Sequence, residues 1–567
     1  MDNQRLILWA IFLVLAWMTY QQWQADYAPK PVPTETAVDA GDTTELPPVD
    51  TSLPDLDSAP TGDIDAPALS SDELPTVAEE TPAASTIRVV TDVLDVTIST
   101  EGGTLVGATL LEYPVAKDQP DTLVNLLGTT GRDMMVVQSG VRAAGGRSEA
   151  NHRTVFNSAK QNFDMGGDDE LIVPLVWESA DGISVIKQFR FARGSYAIGV
   201  SQSVSNSSDA VWRGAEYMQL QRYLGEQERS MFDVDSYSFD GPMYFDDGDA
   251  EKLDADDLED ESITFETQRG WLASIQHHFV TAMVPPLDQT QSFSISMNGT
   301  TARASTIGKV HAVEPGSSHE FNTTLFVGPK LQSQLAAIDD SMLVAVDYGF
   351  LRLLSEPLFW LLSKAYDFVG NWGVAIILVT LLIKLVFYKL TESSGRSMAK
   401  MRTLQPRMKA IQDRHKDDRQ AQSQAMMDLY KREKVNPAAG CLPILIQMPF
   451  FLAFYWVLLE SVEMRQAPFA LWITDLSVRD PFFILPLIMG AAMFFQQKLN
   501  PQVGDPIQQK VMQLMPIIFT GLFAFFPSGL VLYWVTNTVL SIAQQWKINK
   551  VVEAEGKQTP PHKQKSD

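Results

Sequence analysis

The sequence predicts a multi-domain membrane protein: an N-terminal transmembrane anchor, a large all-β domain outside the membrane, and a five-helix transmembrane core. Three observations predict it. One apolar segment, Leu6–Tyr20, opens the chain, and five more follow residue 371. Between them runs a long stretch of period-two alternation, the mark of half-buried strands. Charge, finally, is divided: Met1–Asp340 holds 20 Lys+Arg against 52 Asp+Glu, whereas Ser341–Asp567 holds 24 against 17. An acidic extramembrane half argues against nucleic acid as partner, because phosphate binding needs clustered cations. The basic, apolar half suits a bilayer with its cationic loops on the cytoplasmic side.

Residues 1–25 are read as the anchor. Leu6–Tyr20 is followed by Trp23, an interfacial residue type, and MTYQQWQADYA offers no small-x-small cleavage site, which favours an anchor over a signal peptide. Residues 26–86 turn to Pro, Asp, Glu, Thr and Ala, with no Lys or Arg between Pro31 and Ile87. Such a segment cannot bury enough apolar area to offset its chain entropy, so a disordered acidic linker is expected.

Residues 87–340 are predicted to form a β-sandwich. Alternation appears in Val96/Ile98, in Ile183/Val185 running on to Phe189/Phe191, in Tyr196/Ile198/Val200 and in Phe293/Ile295/Met297, with turns at Gly102-Gly103, Asn206-Ser207 and Asn298-Gly299. Asp246–Glu261 carries ten acids and one base, Lys252, without a D-x-D-x-D-G pattern, and reads as a solvated surface loop rather than a calcium site. Trp177 and Trp212 read as core residues ahead of sugar-stacking ones. The single cysteine, Cys441, excludes an internal disulfide framework and reads as a small buried residue.

Residues 341–370 predict an amphipathic helix along the interface, with Leu351, Leu354, Leu358, Leu361 and Leu362 at helical spacing. The core, 371–548, contains apolar segments Trp372–Leu390, Leu442–Leu459, Phe482–Phe495, Val511–Phe526 and Leu530–Ile542. A helical hairpin at 392–436 separates the first two. Thr391–Asn436 holds 11 Lys+Arg and 6 Asp+Glu, and the positive-inside rule makes it cytoplasmic. Alternation then places both termini, including the tail 549–567, inside and the β domain outside.

Within the core, Lys384 stands about 9 Å from the cytoplasmic end of its helix at 1.5 Å per residue. A lysine at membrane depth costs about 2.5–3.5 kcal/mol on insertion scales, so it requires a snorkelling route, a partner or a wet cavity. Position alone does not separate these. Thr380, one turn earlier on the same face, and Gln447 on the next helix favour a wet pocket, and no carboxylate lies in the spans to neutralise the charge. None of the seven histidines falls in a span and no G-x-x-x-x-G-K-[ST] occurs, so no catalytic residue, cofactor or metal site is predicted.

The strings NWGVAIILVTLLIK, SMAKMRTLQPRMKAIQ, KVNPAAGCLPILIQMPFF, RQAPFALWITDLS, DPFFILPLIMG and FPSGLVLYWVTN cover most of Asn371–Lys547. In order and spacing they resemble the YidC family of membrane protein insertases. The anchor, linker and large β domain are similar to the Gram-negative branch, whose periplasmic domain is a β-supersandwich. The resemblance implies a non-enzymatic insertase and chaperone in the bacterial inner membrane, with a groove open to the cytoplasm and the lipid. It places Lys384 where the family usually has arginine, which keeps the charge and loses the planar fork. Thr380, Gln447, Tyr533 and Trp534 become groove residues, with Trp534 lacking the hydroxyl of the family's second tyrosine. Met448, Phe451 and Met489 become a slide for the substrate helix. The implied partners are nascent membrane proteins, the lipid bilayer, the Sec translocon, and the ribosome and signal recognition particle through the hairpin and tail. Two other classes stay open on the residues: a small-solute transporter with Lys384 as counter-ion, and a membrane-anchored carbohydrate-binding or sensing protein.

Overall fold

The computed structural model describes residues 53–54, 56, 84–225, 238–260, 262–415, 418–433, 435, 442–499 and 506–558. The expected anchor, nearly all of the linker, Cys441 and residues 559–567 of the tail lie outside the described residues.

Strands from Thr86 to Pro329 form two antiparallel-rich sheets, one of eleven strands and one of eight, among the described residues. Alternation does what the pleat requires. Val96, Ile98, Ile183, Val185, Phe189, Phe191, Tyr196, Ile198, Val200, Phe293 and Ile295 are all buried in the core between the sheets. Gly102 and Gly103 take φ of 70° and 62° in the turn after Leu94–Ser99, a conformation glycine adopts without steric cost. Trp212 is wholly buried, its Nε1 donating to the Ser148 carbonyl at 3.1 Å, so it has no face free for a sugar. Asp246–Glu261 is not a plain loop. Gly241–Asp246 and Asp249–Lys252 pair as a hairpin about Asp247-Gly248, and Ala255–Asp260 forms a short helix. Acidity governed the expectation, whereas hairpin pairing governs the structure.

Two buried ionisable groups sit between the sheets. Lys187 donates to Gly102 O at 2.6 Å, Ser139 O at 2.8 Å and Ser139 Oγ at 3.0 Å, tying one sheet to the other, and burial pushes its pKa down to about 7. Glu216 accepts a hydrogen bond from Thr323 Oγ1 at 3.2 Å, and burial pushes its carboxyl up to about 7 from the usual 4.5. A carboxyl whose folded pKa is raised penalises the folded state as pH climbs from 4.5 to 7, because only the unfolded chain can release its proton cheaply. Glu216→Gln keeps the acceptor for Thr323 and removes the charge. At pH 8 it is expected to stabilise the β domain by roughly 1–3 kcal/mol, with no gain at pH 4, as read by thermal unfolding at the two pH values.

The C-terminal region is helical: α1 (Arg352–Val369), α2 (Trp372–Val386), α3 (Tyr388–Arg414), α4 (Arg419–Arg432), α5 (Leu442–Glu460), α6 (Ile484–Leu499), α7 (Pro506–Phe523) and α8 (Ser528–Gln558). Helix α8 is central and packs on α2, α3, α5 and α6. Ile376, Val379, Phe454, Val457, Met489, Val531 and Tyr533 form the buried middle. The polar hairpin is present as α3 and α4, held by Met401, Leu404, Met408 and Leu429 and by an Arg407–Glu433 pair at 2.6 Å. Helix α1 buries Leu358 and Leu362 and leaves Leu353, Trp360 and Phe368 exposed.

The helix limits differ from the expected bounds at several places: α1 begins at Arg352 rather than 341, α7 runs from Pro506 to Phe523 rather than from 511 to 526, and α8 continues past Ile542 to Gln558, so the expected tail from 549 begins as helix. Two further differences have a visible local cause. The first run breaks at Phe387, where α2 and α3 meet at 68°, so its last residues belong to the hairpin helix. The third begins at Ile484 rather than Phe482, because buried Asp480 accepts hydrogen bonds from Phe482 N at 3.0 Å, Leu485 N at 2.7 Å and Trp472 Nε1 at 3.0 Å, while Phe483 takes a positive φ. Among the described residues no single helix is long and apolar enough to cross a membrane, although α2 and the start of α3 pass together as a bent pair.

The β domain seats on the segment between α5 and α6. Arg465 Nη2 donates to Pro114 O at 2.8 Å and Val115 O at 2.9 Å and lies over the Phe279 ring, while Lys117 donates to Gln466 O at 3.2 Å. His277 Nε2 stands 3.1 Å from Leu459 O, and the Tyr348 hydroxyl 3.2 Å from Ser461 Oγ. Burial at this junction pushes Lys330 down to about 8 and Glu463 up to about 7.

Candidate functional site

Asn371 caps α2, its side chain accepting from Val374 N at 3.0 Å, and fixes the phase of the helix that carries Lys384. Lys384 falls in the last turn before the bend at Phe387, so the break leaves an opening beside its ammonium. That cleft is small and partly open, about 20 Å³ in cavity volume, and is lined by Ile383, Lys384, Phe387, Leu390, Thr391, Ile446, Gln447 and Phe450. Most of its wall is apolar, and Lys384 is its one cation.

The polar contacts form a chain. Lys384 Nζ donates to Ser541 Oγ at 2.8 Å, and Ser541 Oγ donates to Asn537 O at 2.7 Å. Gln447 donates to Asn537 Oδ1, and its amide lies beside the Tyr533 hydroxyl. A line of neutral groups thus joins α2, α5 and α8. Among the described residues no carboxylate comes within 4.0 Å of Lys384. An ammonium has three donors, and the one bond recorded for it here is to a neutral hydroxyl, so the cleft suits an incoming anionic group.

The structure brings Lys384, Gln447 and Tyr533 into one network. It sets Thr380 apart: buried, with its hydroxyl donated back to Ile376 O at 2.6 Å, Thr380 does not line the cleft. A threonine can satisfy its own hydroxyl on the preceding turn, and sharing a helical face with Lys384 does not oblige it to face the same space. Trp534 points into an aromatic cluster, 4.7 Å from Phe451, 5.3 Å from Phe523 and 6.3 Å from Phe519. Tyr533 stacks on Phe454 at 4.6 Å. Met448 is exposed and Phe451 partly buried, but Met489 is completely buried among the helices.

Asn537 and Ser541 escaped the sequence reading. Their signal was present: Tyr533, Asn537 and Ser541 recur every four residues on one helix, a polar stripe on an otherwise apolar segment.

A family model described as 60Kd inner membrane protein matches residues 364–555, and one described as YidC periplasmic domain matches 86–361. Two proteins named Membrane protein insertase YidC are similar over nearly the whole length. That of Thioalkalivibrio sulfidiphilus is 46% identical over 98% of this chain and 100% of its own, and that of Nitrosococcus oceani is 43% identical over 98% and 100%. A crystal structure described as an active YidC insertase with the first transmembrane domain resolved aligns at 20% identity over 82% of this chain and 92% of its own, with a TM-score of 0.37. With both halves of the chain matched and identity sustained from end to end, the chain belongs to the YidC family of membrane protein insertases.

Proposed function

We propose that this chain inserts helices of nascent membrane proteins into the lipid bilayer through the Lys384 cleft, without nucleotide hydrolysis. The observation that supports it is the polar chain from Lys384 through Ser541, Asn537 and Gln447 to Tyr533, set in a bundle whose other walls are apolar. A hydrophilic substrate end enters this wet cleft, where the ammonium and the neutral groups lower its desolvation cost. The substrate's apolar helix meanwhile moves into lipid, and its burial at about 25 cal/mol per Å² drives the transfer.

In this reading an N-terminal anchor precedes the β domain, which is periplasmic, while α3, α4 and both termini are cytoplasmic. Helix α1 lies along the interface and the five core spans are α2 with the bend, α5, α6, α7 and α8. Met448 and Phe451 contact the moving helix, with Met489 behind them supporting the wall. Thr380 shapes the helix that carries Lys384, and Trp534 braces α8 from the aromatic side. The basic hairpin meets the ribosome or signal recognition particle, and the Sec translocon receives or delivers longer substrates.

Deleting Arg88–Phe326 tests whether the helices carry the activity. Insertion of a small substrate is expected to fall by no more than about threefold, under 1 kcal/mol on the barrier. Loss of insertion from a deletion variant whose helices retain protease resistance contradicts the reading.

A further inference from the structure

The connection between α5 and α6 contains a turn that its residues do not favour. Ile473 N donates to Ala470 O at 3.0 Å and Phe469 N to Ile473 O at 3.0 Å, which closes a tight loop with Leu471 at its second position. Leu471 has a φ of 55°, the left-handed value that mirror-type turns reserve for Gly, Asn or Asp. A bulky side chain crowds its own backbone there. Nor is the strain repaid by packing, since Leu471 is 87% exposed. Of the four non-glycine residues with positive φ among the described residues, three (Gln466, Leu471 and Phe483) lie in this connection. Backbone strain held in place by its surroundings clusters where a chain meets something else.

The loop is fastened to the end of α2 remote from Lys384, because Asn371 Nδ2 donates to Pro468 O at 3.3 Å and to Phe469 O at 3.0 Å. Three residues before Asn371, Phe368 at the end of α1 is also 87% exposed. Phe482, at the far end of the connection, is exposed too, and α6 continues with exposed Leu487 and Ile488. From Gln466 to Thr474 no residue is charged.

We propose that Leu471 is a lipid wedge, held out by its strained turn so that it enters the acyl boundary of the leaflet on the β-domain side, next to Phe368. The inference rests on the reading of α2 and α6 as membrane spans. Acyl chains are the occupant that fits. A water-soluble partner would need polar or charged groups to set its orientation, and the loop offers no charge, whereas lipid rewards apolar area without any polar counterpart. The same connection carries Arg465 and Gln466, which hold Pro114 and Val115 of the β domain. Lipid contact at Leu471 therefore fixes the depth at which the seat of the β domain stands.

The test uses the full-length chain in phosphatidylcholine nanodiscs, with Cys441→Ala as background and a bimane label on Leu471→Cys. Quenching by lipid spin-labelled near the headgroup end of its acyl chain is compared with quenching by iodide in the water. Leu487→Cys, on the exposed face of α6, reports the spanning reading itself, and Ile172→Cys, exposed on the β domain, reports a site away from lipid. The label at 471 is expected to be quenched by the lipid probe at least about threefold more strongly than that at 172, and within about twofold of that at 487, with iodide giving the reverse order. Lipid quenching at 487 but not at 471 overturns the wedge and leaves the spans standing. Absence of lipid quenching at 487 overturns the spanning reading, and the wedge with it. A photoreactive side chain at 471 that labels another polypeptide rather than lipid in native membranes also overturns the wedge.

Discussion

Lys384→Glu is expected to slow insertion of small substrates with acidic translocated ends by about tenfold to a hundredfold, a barrier change of roughly 1.4–2.7 kcal/mol. The sign follows from the cleft. Its only cation carries one neutral hydrogen bond, to Ser541 Oγ, and faces space lined mainly by carbon. Replacing it with a carboxylate turns a charge-assisted hydrogen bond to the substrate, about 1.5–3 kcal/mol, into repulsion. Lys384→Arg keeps the charge and adds a planar fork, and should retain or raise activity. Substrates with neutral ends should be affected less than acidic ones. In vitro insertion into proteoliposomes, compared across the two substrate types, reads the effect. Unimpaired insertion of acidic substrates by Lys384→Glu would return the ammonium to a snorkelling role.

Gly373→Leu is expected to cost about 3 kcal/mol of stability and to loosen the junction between the helices and the β domain. A Cβ at this position would come 2.1 Å from Phe469 Cδ2 and 2.5 Å from Cγ, so the ring must leave its seat. Phe469 is not free to do so without consequence. Its carbonyl accepts from the α2 cap residue Asn371 at 3.0 Å, and its N–H donates to Ile473 O at 3.0 Å. The same segment carries Arg465 and Gln466, which hold Pro114 and Val115 of the β domain. Displacing Phe469 therefore acts at two removes, first on the start of α2 and then on the docked domain. Thermal unfolding reads the first effect, and faster proteolysis between Ser461 and Phe483 the second. Gly373→Ala should give the same direction with a smaller cost.

Much of the architecture was legible because it rests on local periodicity. Alternation at Ile183/Val185 and Phe189/Phe191 marks inward-facing strand positions, and it holds wherever one face of a strand is buried. The basic hairpin announced itself by charge and by its helical Met and Leu positions. Features set by contacts distant in sequence were not legible. Nothing in LVFYKLTE marks the 68° break at Phe387, which contains neither Gly nor Pro. Met448 and Met489 look alike as apolar helix residues, yet one is exposed and the other buried, because only the neighbouring helices decide which face is covered. The residues that Leu53 and Leu56 pack against, Ala215, Tyr217 and Ile307, lie on strands that begin about 160 and 250 residues further on, with no local sign of the contact. The site falls between these cases. Lys384 and Gln447 stand out as polar residues in apolar runs. Ser541 and Asn537 carry the same signal on α8, weakened there by the many polar residues near its end.

The central claim is that substrate passes through the cleft beside Lys384, and site-specific photocrosslinking of stalled nascent chains tests it most directly. Photoreactive side chains at positions 384 and 447, with position 368 on the exposed face of α1 as reference, are each introduced into the full chain. Crosslinks from 384 and 447 should appear while the substrate's hydrophilic end is being translocated and vanish once insertion is complete, with little at 368 throughout. Labelling at 384 and 447 no stronger than at 368, at every stalled length, would contradict it.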